Sequence, residues 1–232
     1  MKITWLTQGS FLFEHLGQRL VADPYMSDCL EAKGVKRMVP FPLALAQLKP
    51  DVLLCTHDHL DHLDPETVQK IAGAYPRCRF AGSTNSFRHF QELGITPGRC
   101  TLLQVGEAVE LAGFDLLPVY ARHSDKEAVG VVISAAGKRV YLTGDTEYDE
   151  KIVANPALQG LDAILICVNG RLGNMSWEQA VDVVKALRPR QALPMHYGLF
   201  AENTVDPQPF IQQCIAAGIP SSAMTVGKEF EI

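Results

Sequence analysis

Three imidazoles and two carboxylates fall within one short run, Thr56-His57-Asp58-His59-Leu60-Asp61-His62, and the pattern His57-x-His59-x-Asp61-His62 places four of them as candidate ligands. Imidazole nitrogen and carboxylate oxygen are ligands for Zn, Mn, Fe or Ni. Residues two apart in extended backbone point to one side. His57 and His59 can therefore reach one ion while Asp61 and His62 turn toward a second. The competing reading is a solvated polar loop with an accidental cluster. Its setting argues against that, because a buried strand precedes the run and a capped helix follows it.

Three more residues extend the set, and each follows an expected strand. Asp145 lies in Leu142-Thr143-Gly144-Asp145-Thr146, where a glycine lets the backbone turn sharply and present the carboxylate. Taken alone, such a pair is more often a turn. His196 lies in Pro194-Met195-His196-Tyr197, and a lone histidine there is more often packed or hydrogen-bonded than ligating. His123, in Tyr120-Ala121-Arg122-His123-Ser124, serves equally as an exposed loop residue. All three gain weight because a two-ion site needs ligands beyond the first cluster. His15 and His89 fall inside an expected strand and helix and read as structural.

The elements that must position these groups alternate along the chain. Lys2 to Leu6, Ser10 to His15 and Arg19 to Asp23 read as strands, and Asp23-Pro24 ends the third. Residues 25 to 40 read as a loop, and a short helix is expected from Pro42 to Leu48. Val52 to Cys55 is a continuously apolar strand leading into the histidine run. Asp64-Pro65-Glu66 supplies an N-cap, a proline at the first helical position and an acidic first turn, opening a helix to about Tyr75. Arg79 to Ala81 reads as a strand and Ser83 to Leu93 as a helix stopped by Gly94.

Strands dominate from Leu102 to Thr143, with a hairpin at Ala136-Gly137-Lys138. The last third reads as strand Ala163 to Val168, helix Ser176 to Leu187, strand Gln191 to Met195 and helix Pro207 to Ala217. A short terminal strand follows. Strand-rich blocks with helices in both halves point to packed sheets with helices outside, forming a single domain over 1–232.

The 232 residues are 47% apolar, enough for one large core, and no linker-like stretch divides them. A formal net charge of −5 gives no electrostatic footprint for nucleic acid or an anionic membrane. The six cysteines form no C-x-x-C pair, and several sit in apolar runs, so they read as buried free thiols. Met1-Lys2-Ile3-Thr4-Trp5-Leu6 lacks the apolar core of a signal peptide, and no stretch reaches the roughly 18 apolar residues of a membrane span. A cytoplasmic protein is expected.

Thr56 to His62, with Gly144-Asp145 and Pro194-Met195-His196-Tyr197, resembles the metallo-β-lactamase superfamily. Ile3-Thr4-Trp5-Leu6 through Val21-Ala22-Asp23-Pro24 is similar to metal-dependent hydrolases related to L-ascorbate-6-phosphate lactonase. So is Gly170-Arg171-Leu172-Gly173-Asn174-Met175 followed by Ala180. The resemblance covers essentially the whole chain. It implies an αββα sandwich, two mixed β-sheets packed face to face, with the site along one edge. It further implies that His57, His59 and His123 bind one ion, that Asp61, His62 and His196 bind the other, and that Asp145 bridges them.

Two divalent ions about 3.5–4 Å apart share a water and lower its pKa toward neutrality. The expected chemistry is attack by that metal-bound hydroxide on a small ester, lactone or phosphorylated metabolite. Zn or Mn is expected, and Fe or Ni suits the same ligands. Asp61 would orient the nucleophile or shuttle its proton. Tyr197 is an oxyanion donor in one reading and a packing residue in the other. Asn169 and Arg171 sit where the site should open, and Arg171 either holds an anionic group or lies on the surface. Arg122 carries the same ambiguity. Phosphodiester hydrolysis, of RNA or a cyclic nucleotide, is the alternative chemistry. A di-iron redox protein and a non-catalytic metal-binding module are alternatives of another class.

Overall fold

The first three strands, Lys2–Thr7 (β1), Ser10–His15 (β2) and Gln18–Ala22 (β3), form an antiparallel meander in the computed structural model, which describes all of residues 1–232. Val52–Cys55 (β4), Arg79–Gly82 (β5) and Cys100–Leu102 (β6) then continue the sheet in parallel. A second sheet repeats the scheme. Val109–Leu111 (β7), Phe114–Tyr120 (β8), Val129–Ala135 (β9) and Lys138–Leu142 (β10) pair antiparallel. Ala163–Cys167 (β11) and Ala192–Met195 (β12) add to them in parallel. The last strand, Glu229–Glu231 (β13), returns to the first sheet beside β1.

Strands buried on both faces divide their side chains between two environments. In β4, Val52 and Leu54 join the core shared by the two sheets. Leu53 and Cys55 face the other way, toward Val68, Ile71 and Phe90. Those three belong to the outer helices Pro65–Ala74 and Thr84–Glu92. On the far side, Trp177–Leu187 and Gln208–Ala216 cover the second sheet and place Val181, Val184, Phe210 and Cys214 in the same large core. Two mixed sheets between helical layers are the αββα architecture expected from sequence. No helix is long and apolar enough to cross a membrane.

Local chemistry sets most boundaries. Asp64 caps the helix at Pro65, accepting from the backbone N–H of Glu66 at 3.0 Å and of Thr67 at 3.2 Å. Ser176 and Gln179 form a capping box at the helix beginning with Trp177. The β9–β10 hairpin turns on Ala136 (φ 54°) and Gly137 (φ 70°), a left-handed pair of the kind tight hairpins favour.

The helix expected from Pro42 is shorter, spanning only Leu45–Leu48, because the chain is extended through Ala44 (φ −69°, ψ 153°). One turn of helix at Glu150–Val153 was not expected. Asp149 caps it, but four residues are too few to show periodicity. Residues 25 to 40 are largely loop, as read, with one 3₁₀ turn at Glu31–Lys33. Arg37 pins that loop, pairing with Asp28 at 2.6 Å and donating to the carbonyls of Tyr25 and Ser27.

Five strands deliver their C-terminal ends to one edge of the sandwich. β3 ends beside Asp23, β4 at Thr56, β8 before His123, β10 before Asp145 and β12 at His196. Two backbone bonds tie the sheets together there, Val129 N–H to Thr56 O at 3.0 Å and His196 N–H to Gln8 O at 3.1 Å.

Candidate metal centre

Asp23 organises the entry to the histidine run. It is fully buried and accepts from Thr56 N–H at 2.8 Å, from Thr56 Oγ1 at 2.7 Å and from His62 Nδ1 at 2.8 Å. The Thr56 hydroxyl proton goes to Asp23, so its oxygen accepts from His57 Nδ1, 3.0 Å away. His57 and His62 both donate through Nδ1 and turn Nε2 into the site. His123 is fixed the same way, its Nδ1 donating to Gly173 O at 2.9 Å. His59 presents its other nitrogen, because Nε2 faces Ser124 Oγ at 3.4 Å.

The free nitrogens converge. His59 Nδ1 lies 3.1 Å from His57 Nε2 and 3.1 Å from His123 Nε2. Three lone pairs aimed at one another repel unless a cation stands among them. Ligand nitrogens around a tetrahedral ion with bonds near 2.0–2.1 Å lie roughly 3.3 Å apart, which matches this spacing.

A second convergence adjoins the first. His62 Nε2 stands 3.2 Å from Asp145 Oδ1, 3.4 Å from His196 Nε2 and 3.8 Å from Asp61 Oδ2. His196 Nε2 lies 3.0 Å from Asp145 Oδ2 and 3.8 Å from Asp61 Oδ2. Asp145 also groups with His57 and His62, so its carboxylate lies between the two sets. All seven side chains singled out in the sequence as ligands come together.

The backbone makes room for them. A Cβ on Gly9 would sit 2.7 Å from His62 Cε1, and one on Gly144 (φ 58°) would sit 3.0 Å from Thr56 Cβ. Four non-glycine residues around the site adopt left-handed backbone: Gln8 (φ 48°), Asp23 (φ 45°), Leu172 (φ 52°) and His196 (φ 65°). Each costs about 1–2 kcal/mol, a cost that surrounding packing offsets. Such strain is characteristic of functional sites.

The electrostatics suit cations. Burial, then neighbouring imidazoles, hold His57 and His59 below the usual histidine range, so both are neutral and ready to ligate. Burial also opposes charge on His62, but Asp145, Asp61 and Asp23 outweigh it and raise that imidazole. Burial likewise disfavours charge on Asp145, yet His196 and His62 hold its carboxyl well below the usual range. Asp145 Oδ1 is closed to solvent and makes no well-aligned hydrogen bond, although His62 Nε2 lies 3.2 Å away. An anionic oxygen orphaned in this way calls for a positive partner. The donor set and the orphaned oxygen both fit divalent metal ions.

A cavity of about 410 Å³ opens above the ligands, lined by His59, Asp61, Ser124, Asp145, Leu172 and Asn203. Asn169 lies behind that wall, bonded to Asn203 and Asn174, not at the opening. Arg171 is exposed, donates to Glu202 O at 3.2 Å and does not line the cavity. Arg122 pairs on the surface with Glu147 at 3.0 Å. Tyr197 takes the packing role of its two readings. Its ring lies 4.9 Å from that of Trp5, and its hydroxyl is buried without a hydrogen bond, off the cavity wall. His89, read as structural, holds Asp58 at 2.5 Å beside the ligand loop.

Four residues escaped sequence reasoning. Asp23 passed as a strand stop, because an Asp-Pro pair explains itself locally. Gln8, whose amide nitrogen lies 3.1 and 3.2 Å from the His196 ring nitrogens, carries no local signal. Asn174 and Asn203 sit in loops rich in turn residues, where asparagine is ordinary.

Comparison with known proteins gives the family and the fold. A family model described as a beta-lactamase superfamily domain matches residues 2–196. A UPF0173 metal-dependent hydrolase of Pyrobaculum neutrophilum is 28% identical over 214 residues, covering 90% of each chain. A metallo hydrolase structure from Ignicoccus hospitalis is similar at a TM-score of 0.79 and 24% identity, covering 100% of this chain and 98% of the other. An isothiocyanate hydrolase from Delia radicum gut bacteria shares the fold at a TM-score of 0.81 and 17% identity, covering 100% and 99%.

Proposed function

This chain belongs to the beta-lactamase superfamily, and from that premise we propose that it is a metal-dependent hydrolase of small molecules. The observation that carries the reading is the convergence of His57, His59, His123, Asp61, His62, His196 and Asp145 beneath one open cavity. His57, His59 and His123 would hold one cation and Asp61, His62 and His196 a second, with Asp145 shared. Zinc or manganese suits these ligands, and iron or nickel is compatible. When bound, such a pair lowers the pKa of water and polarises a carbonyl or phosphoryl oxygen.

The chain's own residues do the rest. Asp61 is a ligand whose side chain stays 19% exposed at the cavity, so its carboxylate can take a proton from the attacking water. Asp23, Thr56 and Gly173 keep the imidazole tautomers fixed, which leaves no reorganisation for the reaction itself. A cavity of about 410 Å³ admits a small ester, lactone or phosphorylated metabolite. The relative's name supports metal-dependent hydrolysis. Six free cysteines accord with a reducing cytoplasm.

Reconstitution with each metal, followed by a panel of lactones, esters and bis-aryl phosphodiesters, tests this reading. Turnover of a carbonyl or phosphate ester that disappears in His59→Ala supports it. Metal-loaded protein that turns over nothing in the panel, or a His59→Ala variant with full activity, contradicts it.

A further inference from the structure

Three buried asparagines connect the shared carboxylate to the cavity wall. Asn174 Nδ2 donates to Asp145 Oδ2 at 2.9 Å and to Asn169 Oδ1 at 3.0 Å. Asn169 Nδ2 donates in turn to Asn203 Oδ1 at 2.7 Å. Exposures of 7%, 3% and 7% for Asn174, Asn169 and Asn203 leave no freedom for the amides to turn over in solvent.

The carboxylate sets every orientation in this relay. A carboxylate only accepts, so Asn174 must face it with its NH₂ group. Both Asn174 protons are then used, one on Asp145 and one on Asn169. Asn169 therefore accepts through oxygen and donates through nitrogen, which commits the oxygen of Asn203. The NH₂ of Asn203 is left over, donates to no group in the structure, and belongs to a residue lining the cavity.

We infer that Asn203 is the substrate-positioning donor of this site, and that the substrate is an acyl compound whose carbonyl oxygen takes the Asn203 amide. The inference rests on the hydrolase reading above. The rest of the wall supports an uncharged acyl group. Its other lining residues are His59, Asp61, Ser124, Asp145 and the apolar Leu172, whose side chain is largely exposed. Among these, an amide held from behind is the donor best pre-organised for a carbonyl. In the step it serves, water oxygen adds to the acyl carbon and its proton passes to Asp61. The carbonyl π pair moves onto the oxygen facing Asn203. Collapse of that adduct breaks the bond to the alcohol oxygen, which leaves with the proton from Asp61.

The test pairs kinetics with a binding measurement on the metal-loaded protein. Asn203→Asp keeps the oxygen that Asn169 needs and removes the donor, and Asn203→Ala removes both without adding charge. For a series of aliphatic lactones, each variant is expected to lose about 100-fold in kcat/KM, with metal content unchanged. In the wild type, the Asn203 side-chain NH₂ resonances are expected to shift on titration with cyclopentanone or cyclohexanone. These ketones carry the carbonyl and cannot be hydrolysed. Wild-type kinetics in both variants, or resonances that stay still, would overturn the assignment while leaving the hydrolase reading intact. A shift of the resonances in a metal-loaded protein that hydrolyses no lactone, ester or phosphodiester would instead sink the hydrolase reading and keep Asn203 as the donor.

Discussion

Asp23 decides which nitrogen His62 presents, and it does so from outside the ligand set. Its carboxylate takes the Nδ1 proton at 2.8 Å and also fixes Thr56, which in turn orients His57. Partners of this kind typically govern metal affinity by 10- to 100-fold. Asp23→Asn is therefore expected to weaken cation binding by about 10- to 100-fold, read by competition with a chromogenic chelator. Unchanged affinity would show that the ligands orient themselves. The candidate ligands were legible in the sequence because His57, His59, Asp61 and His62 crowd one loop. Asp145, His123 and His196 could be added only on the argument that an incomplete shell needs more donors. Asp23 stayed hidden because its partner lies 39 residues away and nothing local marks it.

Strands β4, β8, β10 and β12 deliver the candidate ligands at their C-terminal ends, so the turns at that edge carry the precision. The turn between β1 and β2 is the most exacting, since a Cβ on Gly9 would sit 2.7 Å from His62 Cε1. Gly9→Ala is expected to displace that imidazole and lower cation occupancy while leaving the far-ultraviolet circular dichroism unchanged. Full occupancy would mean the ring has slack the packing does not suggest. Asp64 serves two elements at once, capping the helix from Pro65 and accepting from Ser27 N–H at 2.8 Å. Asp64→Ala is expected to cost about 1–2 kcal/mol, seen as a lower midpoint in urea. An unshifted midpoint would argue that the loop before the helix holds itself. The sequence showed this helix because Asp64-Pro65-Glu66 is a complete start signal. It overextended the helix before Lys49 and missed the one after Asp149, where single turns offer no period to read.

At the scale of the molecule, the packed sheets set both the core and its response to pH. Burial pushes the thiol of Cys78 up to about 12 and that of Cys214 up to about 11, from an ordinary value of 9.0. The folded values are raised, so this contribution to stability is complete below pH 9 and is lost as pH climbs toward 11 and 12. Thermal melts should fall across that window, and less steeply when both cysteines are replaced by alanine. A flat profile would contradict the burial. The sandwich class was legible from strand-rich blocks with helices in both halves. The order of strands was not, because pairings such as β1 with β13 join the two ends of the chain and leave no trace in local pattern. On the proposed reading, the whole arrangement serves a pair of cations held beneath the cavity. Native mass spectrometry of the chain reconstituted with zinc or manganese addresses that claim most directly. The account predicts two cations per wild-type chain and fewer when Asp145 and His196 are both replaced by alanine. A wild-type chain that takes up none, or a double variant that still holds two, would contradict it.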